Sequence, residues 1–64
     1  MRVNGAEITG SGACTLKAFL EREGYVIDLI AVEKNGKIVP KALYETESLA
    51  ENDRLEIVSF VGGG

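Results

Sequence analysis

Two Asn-Gly pairs constrain this chain more than any other feature. A two-residue hairpin turn needs positive φ at both central positions, and Asn followed by Gly meets that demand at least cost. The first pair, Asn4-Gly5, sits between Met1-Arg2-Val3 and Ala6-Glu7-Ile8, and predicts two short strands with Arg2 and Glu7 on the outer side. The second, Asn35-Gly36, sits between a strand over 30–34 and another over 37–39, which Pro40 closes because it brings no N–H to the ladder. Between the hairpins, Gly10-Ser11-Gly12 reads as loop, Thr15 as an N-cap and residues 16–23 as a helix. Leu16, Phe19 and Leu20 fall at i, i+3 and i+4 on one face of it, and Gly24 is placed to end it in the left-handed conformation.

Residues 41–52 have weak periodicity. They read as an irregular connection with one helical turn around Ala42 to Tyr44, anchored to the core by Leu43, Tyr44 and Leu49. Asn52-Asp53 supplies turn chemistry, and residues 54–61 have the β-branched and aromatic content of a strand. The order is therefore hairpin, helix, hairpin, connection, strand. A single helical stripe is buried most economically by laying the helix across a mixed sheet of about four to five strands whose first and last strands run side by side. This predicts an α+β domain of β-grasp (ubiquitin-like) type over residues 1–61, with residues 62–64 as a flexible glycine tail. Val3, Ile8, Leu55 and Ile57 face the helix in that arrangement. Alternation then sends Val58 and Phe60 to the opposite face, exposed beside the tail unless a loop of the protein's own covers them.

At 64 residues there is room for one small domain and none for a cofactor cleft of its own, so the protein is expected to work through partners. Seven Lys and Arg against ten Asp and Glu leave a net charge of −3 with no basic block, which argues against nucleic acid. With no histidine and a single cysteine, the chain lacks the commonest general base and the usual nitrogen and sulfur metal ligands, and it cannot form an internal disulfide. No apolar run approaches the roughly 20 residues that span a bilayer. A cytoplasmic protein without membrane contact is the expectation. Cys14, near the helix start, reads as a nucleophile or as a small buried thiol, and the second is the commoner use. Glu21 with Glu23 and Glu45 with Glu47 read as solvated charge and receive no role.

Gly62-Gly63-Gly64 is the feature that carries chemistry. Three residues without side chains directly after a strand add nothing to packing, but they can thread a narrow channel because no Cβ meets its walls. The reactive group is then the α-carboxylate of Gly64. A carboxylate is a poor electrophile, and acyl-adenylation with ATP on a partner enzyme supplies the leaving group it lacks. Attack by a sulfide equivalent then yields a C-terminal thiocarboxylate, a transferable form of sulfur on a protein handle.

These residues resemble the ThiS family of sulfur carrier proteins of thiamine biosynthesis. The likeness runs through Val3-Asn4-Gly5, Thr15-Leu16, Val32-Glu33-Lys34-Asn35-Gly36 and Ile38-Val39-Pro40, and is strongest from Glu56 to Gly64. The resemblance implies that a ThiF-like adenylyltransferase charges the terminal glycine. It also implies that a cysteine desulfurase or related enzyme supplies sulfur, and that the thiazole synthase ThiG receives it. The charged form would carry a 1-thioglycine at Gly64, with Gly62 and Gly63 giving clearance in the channel and no cofactor bound. Alternation adds Val58 and Phe60 as a docking patch. The small subunit of molybdopterin synthase, a carrier for another sulfur metabolite, and a non-catalytic ubiquitin-like interaction module remain alternative readings.

Overall fold

Both Asn-Gly pairs make the turns their chemistry predicts, with φ of 51° and 85° at Asn4 and Gly5 and of 53° and 85° at Asn35 and Gly36. The structure, a computed structural model, describes residues 1–9 and 14–60. The expected loop Gly10-Ser11-Gly12, the last strand residue Val61 and the glycine tail 62–64 lie outside the described residues.

The first turn joins β1 (Arg2–Val3) to β2 (Ala6–Glu7), and the second joins β3 (Ile30–Lys34) to β4 (Lys37–Ile38). β5 (Arg54–Ser59) lies between the hairpins in a five-stranded sheet of order β2-β1-β5-β3-β4, parallel to β1 and antiparallel to β3. First and last strands are neighbours, and α1 (Leu16–Arg22) crosses one face. This is the β-grasp arrangement.

The turn asparagines do more than tolerate positive φ. Asn4 Oδ1 accepts a 2.7 Å hydrogen bond from the Ile57 N–H while the Asn4 N–H donates to the Leu55 carbonyl at 2.9 Å. Asn35 Oδ1 accepts from the Arg54 N–H at 3.0 Å, and its own N–H donates to the Arg54 carbonyl at 2.8 Å. The two hairpins thus clasp β5 from both sides, a role that turn propensity alone does not disclose.

The helix satisfies its ends with both local and distant partners. Four N–H groups at a helix start have no partner within the helix. Here Thr15 Oγ1 accepts from Ala18, the Thr15 carbonyl accepts from Phe19, and the N–H groups of Leu16 and Lys17 donate to the carbonyls of Glu47 and Tyr44. At the other end Gly24, at φ 84°, donates to Glu21 and Tyr25 donates to Leu20, the paired closure of a Schellman motif.

Leu16, Phe19 and Leu20 are buried against Val3, Leu55 and Ile57, as their spacing predicts, and Met1, Ile30, Val32, Val39, Tyr44 and Leu49 complete the core. Each such side chain contributes about 1.5–3 kcal/mol relative to exposure. Ile8 is half-buried at the margin of this core. One expected anchor fails: Leu43 is 45% exposed. It lies in a 3-10 turn, Lys41–Leu43, whose backbone is what the fold uses, since the Leu43 carbonyl accepts from both Thr46 and Glu47 while Tyr44 turns inward.

The connection that periodicity left irregular is held by polar chemistry. Lys34 lies on the helix side of β3 and sends Nζ to Glu47 Oε2 and to the Ser48 carbonyl, each at 2.8 Å, and to Asp53 Oδ2 at 3.6 Å. Asp53 also accepts from the Ala50 N–H at 2.8 Å and from Asn35 Nδ2 at 2.9 Å. Burial pushes the Asp53 carboxyl up, but the Asn35 amide, the Ala50 N–H and the Lys34 ammonium together outweigh it and hold it below the usual range. The hydrogen bond to Glu47 raises Lys34 against partial burial.

Candidate partner-docking face

The face of the sheet opposite α1 is built by the alternation of β5. Leu55 and Ile57 point into the core, so Arg54, Glu56 and Val58 point away from it. Antiparallel register sets Glu33 of β3 opposite Glu56 and Ala31 opposite Val58, and the Phe60 N–H continues the ladder by donating to the Leu29 carbonyl at 2.8 Å. Parallel register sets Arg2 of β1 beside Arg54, and Arg2 reaches Glu7 at 3.6 Å. Along β5 the outer face is therefore banded: cationic at Arg54, anionic at Glu56, apolar at Val58 and Phe60.

The apolar band stands open. Val58 is 59% exposed and Phe60 65%, with Leu29 beside them at 39%. The expectation from alternation holds for both predicted residues, and no described loop covers them. Leu29 and Ala31 join the patch through the β3–β5 register, which pattern along β5 alone does not reveal. The opposed Glu33 and Glu56 are legible only from the same register. Gly62, Gly63 and Gly64, the proposed channel residues and reactive terminus, follow this apolar end in sequence and lie outside the described residues.

A second exposed apolar pair, Ile38 and Leu43, borders an open cleft of about 400 Å³ at the β4 edge together with Pro40, Lys37 and Glu47. It lies across β3 from the strand that leads into the glycines. Cys14 is half-buried, packs on the core margin and accepts from the Leu49 N–H through its carbonyl at 2.9 Å. That placement fits the small packing thiol of the two readings. Glu21, Glu23 and Glu45 are exposed, and Glu45 pairs with Lys17 at 2.9 Å, which suits solvated charge. Glu47 departs from that reading by its place in the Lys34 cluster. Among the described residues, no helix is long and apolar enough to cross a membrane.

Known proteins share both the sequence and this architecture. A family model described as the ThiS family matches residues 1–64. A thiazole synthase of Paramagnetospirillum magneticum is 42% identical over 62 residues, covering 97% of this chain and 19% of that protein. The chain thus spans about a fifth of the length of that relative. The sulfur carrier protein ThiS of Bacillus subtilis is 44% identical over 36 residues, covering 56% of this chain and 54% of that protein. In three dimensions the fold matches the crystal structure of a thiamine biosynthesis protein (ThiS) from Geobacter metallireducens with a TM-score of 0.77, at 23% identity and over 98% of this chain and 96% of that one. Since the family match spans residues 1–64, from the first hairpin to the glycines, the chain belongs to the ThiS family.

Proposed function

We propose that this protein is a sulfur carrier of thiamine biosynthesis and acts as a co-substrate of partner enzymes, the Gly64 carboxylate being the group that is charged. The observation that carries the reading is the family match over the whole of residues 1–64, glycines included. The open apolar band of Val58 and Phe60, directly ahead of Gly62-Gly63-Gly64, supports it by offering a docking patch next to the reactive end.

The chemistry runs in two steps. An oxygen of the Gly64 carboxylate attacks the α-phosphorus of ATP on a ThiF-like adenylyltransferase, forming the acyl-adenylate and releasing pyrophosphate. Hydrogen sulfide then attacks the acyl carbon; a persulfide delivered by a cysteine desulfurase instead gives an acyl disulfide, whose S–S bond a thiol reductant must cleave, itself leaving as a disulfide, to release the thiocarboxylate. With sulfide, the C–O bond to AMP breaks as the C–S bond forms, and loss of a proton leaves the thiocarboxylate of a 1-thioglycine. The protein contributes no general base. It presents the carboxylate at the end of an arm that fits a narrow site, and it holds the docking face in fixed register through β5. The thiazole synthase relatives support a thiazole synthase such as ThiG as the sulfur acceptor.

Intact mass after incubation with a ThiF-like adenylyltransferase, ATP and sulfide tests this. The expected gain equals the exchange of one oxygen for one sulfur and is absent when Gly64 is deleted. No gain with an enzyme shown to be active on another ThiS protein overturns the reading.

A further inference from the structure

The anionic band offers more than the apolar patch. Glu33 and Glu56 stand directly opposite one another across β3 and β5 on the outward face. Cross-strand partners have Cβ atoms about 4.5–5.5 Å apart, and like charges so placed destabilise the sheet. Among the described residues neither carboxylate has an ion pair: the acidic members of the pairs are Glu7, Glu23, Glu45, Glu47 and Asp53. Arg54, the preceding outward residue of β5, makes none with Glu56 either. The fold pairs Lys34 with Glu47 and Asp53 and Lys17 with Glu45, yet it leaves Glu33 and Glu56 unmatched next to Ala31 and Val58.

We propose that Glu33 and Glu56 form a cation-recognition band that sets the register in which the activating enzyme seats on the sheet. The enzyme presents one arginine or lysine to both carboxylates while its apolar surface covers Val58 and Phe60. This inference rests on the proposed carrier function. Charge complementarity names the occupant as a cationic side chain, and under the carrier function the activating enzyme is the partner that brings it. An arginine suits the geometry best, because its planar fork can donate to two carboxylates at once. The two contacts lie two residues apart on β5, about 6.8 Å at the strand's rise, so a partner side chain paired with Glu56 fixes which residue meets Val58.

The experiment compares wild type, Glu33→Gln, Glu56→Gln and the double variant as protein substrates of a ThiF-like adenylyltransferase with ATP, at low and at high salt, alongside thermal melts. The double variant is expected to raise KM for the carrier by about tenfold at low salt with kcat within about twofold, and to flatten the salt dependence seen with wild type. Its melting temperature should equal or exceed that of wild type, because the repulsion is gone. A structural role for the pair predicts the reverse, lower stability with KM unmoved. Wild type charged normally, with KM of the double variant unchanged at both salts, overturns this inference alone. A wild-type dimer that the double variant leaves as a monomer also overturns it. Wild type that is not charged at all overturns the carrier function and this inference with it.

Discussion

β5 has two faces made by one alternating sequence, and they answer to different demands. Inward, Leu55 is fully buried and Ile57 is 8% exposed; outward, Val58 and Phe60 are apolar yet open, and Glu56 faces another glutamate. The inner residues are placed where water exclusion rewards them. The outer ones give the isolated domain little, and the Glu33–Glu56 juxtaposition works against it. A side chain's hydrophobicity thus does not tell which demand it serves; the face it occupies does.

The comparison breaks most visibly on the inner side. Leu55→Ala should cost about 2–5 kcal/mol in urea unfolding, the range for emptying a fully buried leucine site. A loss below about 1 kcal/mol would mean that the inner face does not carry the stability. Next comes the clasp that holds the strand with the correct face inward. Asn4→Gly keeps positive φ available but removes the acceptor of the Ile57 N–H, and should cost about 1–2 kcal/mol. Asn35→Gly, at the more exposed clasp, should cost less, about 0.5–1 kcal/mol. Equal values for the two would remove the distinction between the clasps.

A smaller effect concerns acid. The folded-state carboxyl of Asp53 lies below its ordinary value, so its contribution is present above the usual carboxylate range and is lost as pH falls through the folded value. Denaturant midpoints of wild type should therefore fall as the pH drops below about 4, and Asp53→Asn should lower the neutral midpoint while making that acid limb shallower. A limb of unchanged slope would assign acid sensitivity to other groups. The smallest effect on stability belongs to the outer face. Phe60→Asp should leave the unfolding free energy within about 0.5 kcal/mol of wild type, while adenylate-dependent charging at low carrier concentration drops by about tenfold. Equal loss of stability and charging would mean that Phe60 belongs to the core.

Much of this was legible in the chain. Asn4-Gly5 and Asn35-Gly36 impose their turns through local φ preference, Thr15 and Gly24 bound the helix through local hydrogen bonding, and Leu16, Phe19 and Leu20 announce its buried face through spacing. Alternation along β5 is enough to set Val58 and Phe60 outward. Local rules cannot order residues 41–53, because their partners are distant: Leu16 and Lys17 for the backbone, Lys34 and Asn35 for the side chains. For the same reason Leu43 looked like an anchor. Its hydrophobicity predicts burial, but the 3-10 turn spends its carbonyl on Thr46 and Glu47 and directs Tyr44 inward instead.

By itself, then, the sequence determined the turns, the helix and its stripe, and the in-and-out order of β5, all of which follow from interactions within a few residues. Only the tertiary structure decided which outward residues stand side by side. Register between β3 and β5 is a long-range property, and it alone puts Glu33 against Glu56 and Leu29 beside Phe60. The outward face is composed across strands, and a reading along one strand sees half of it.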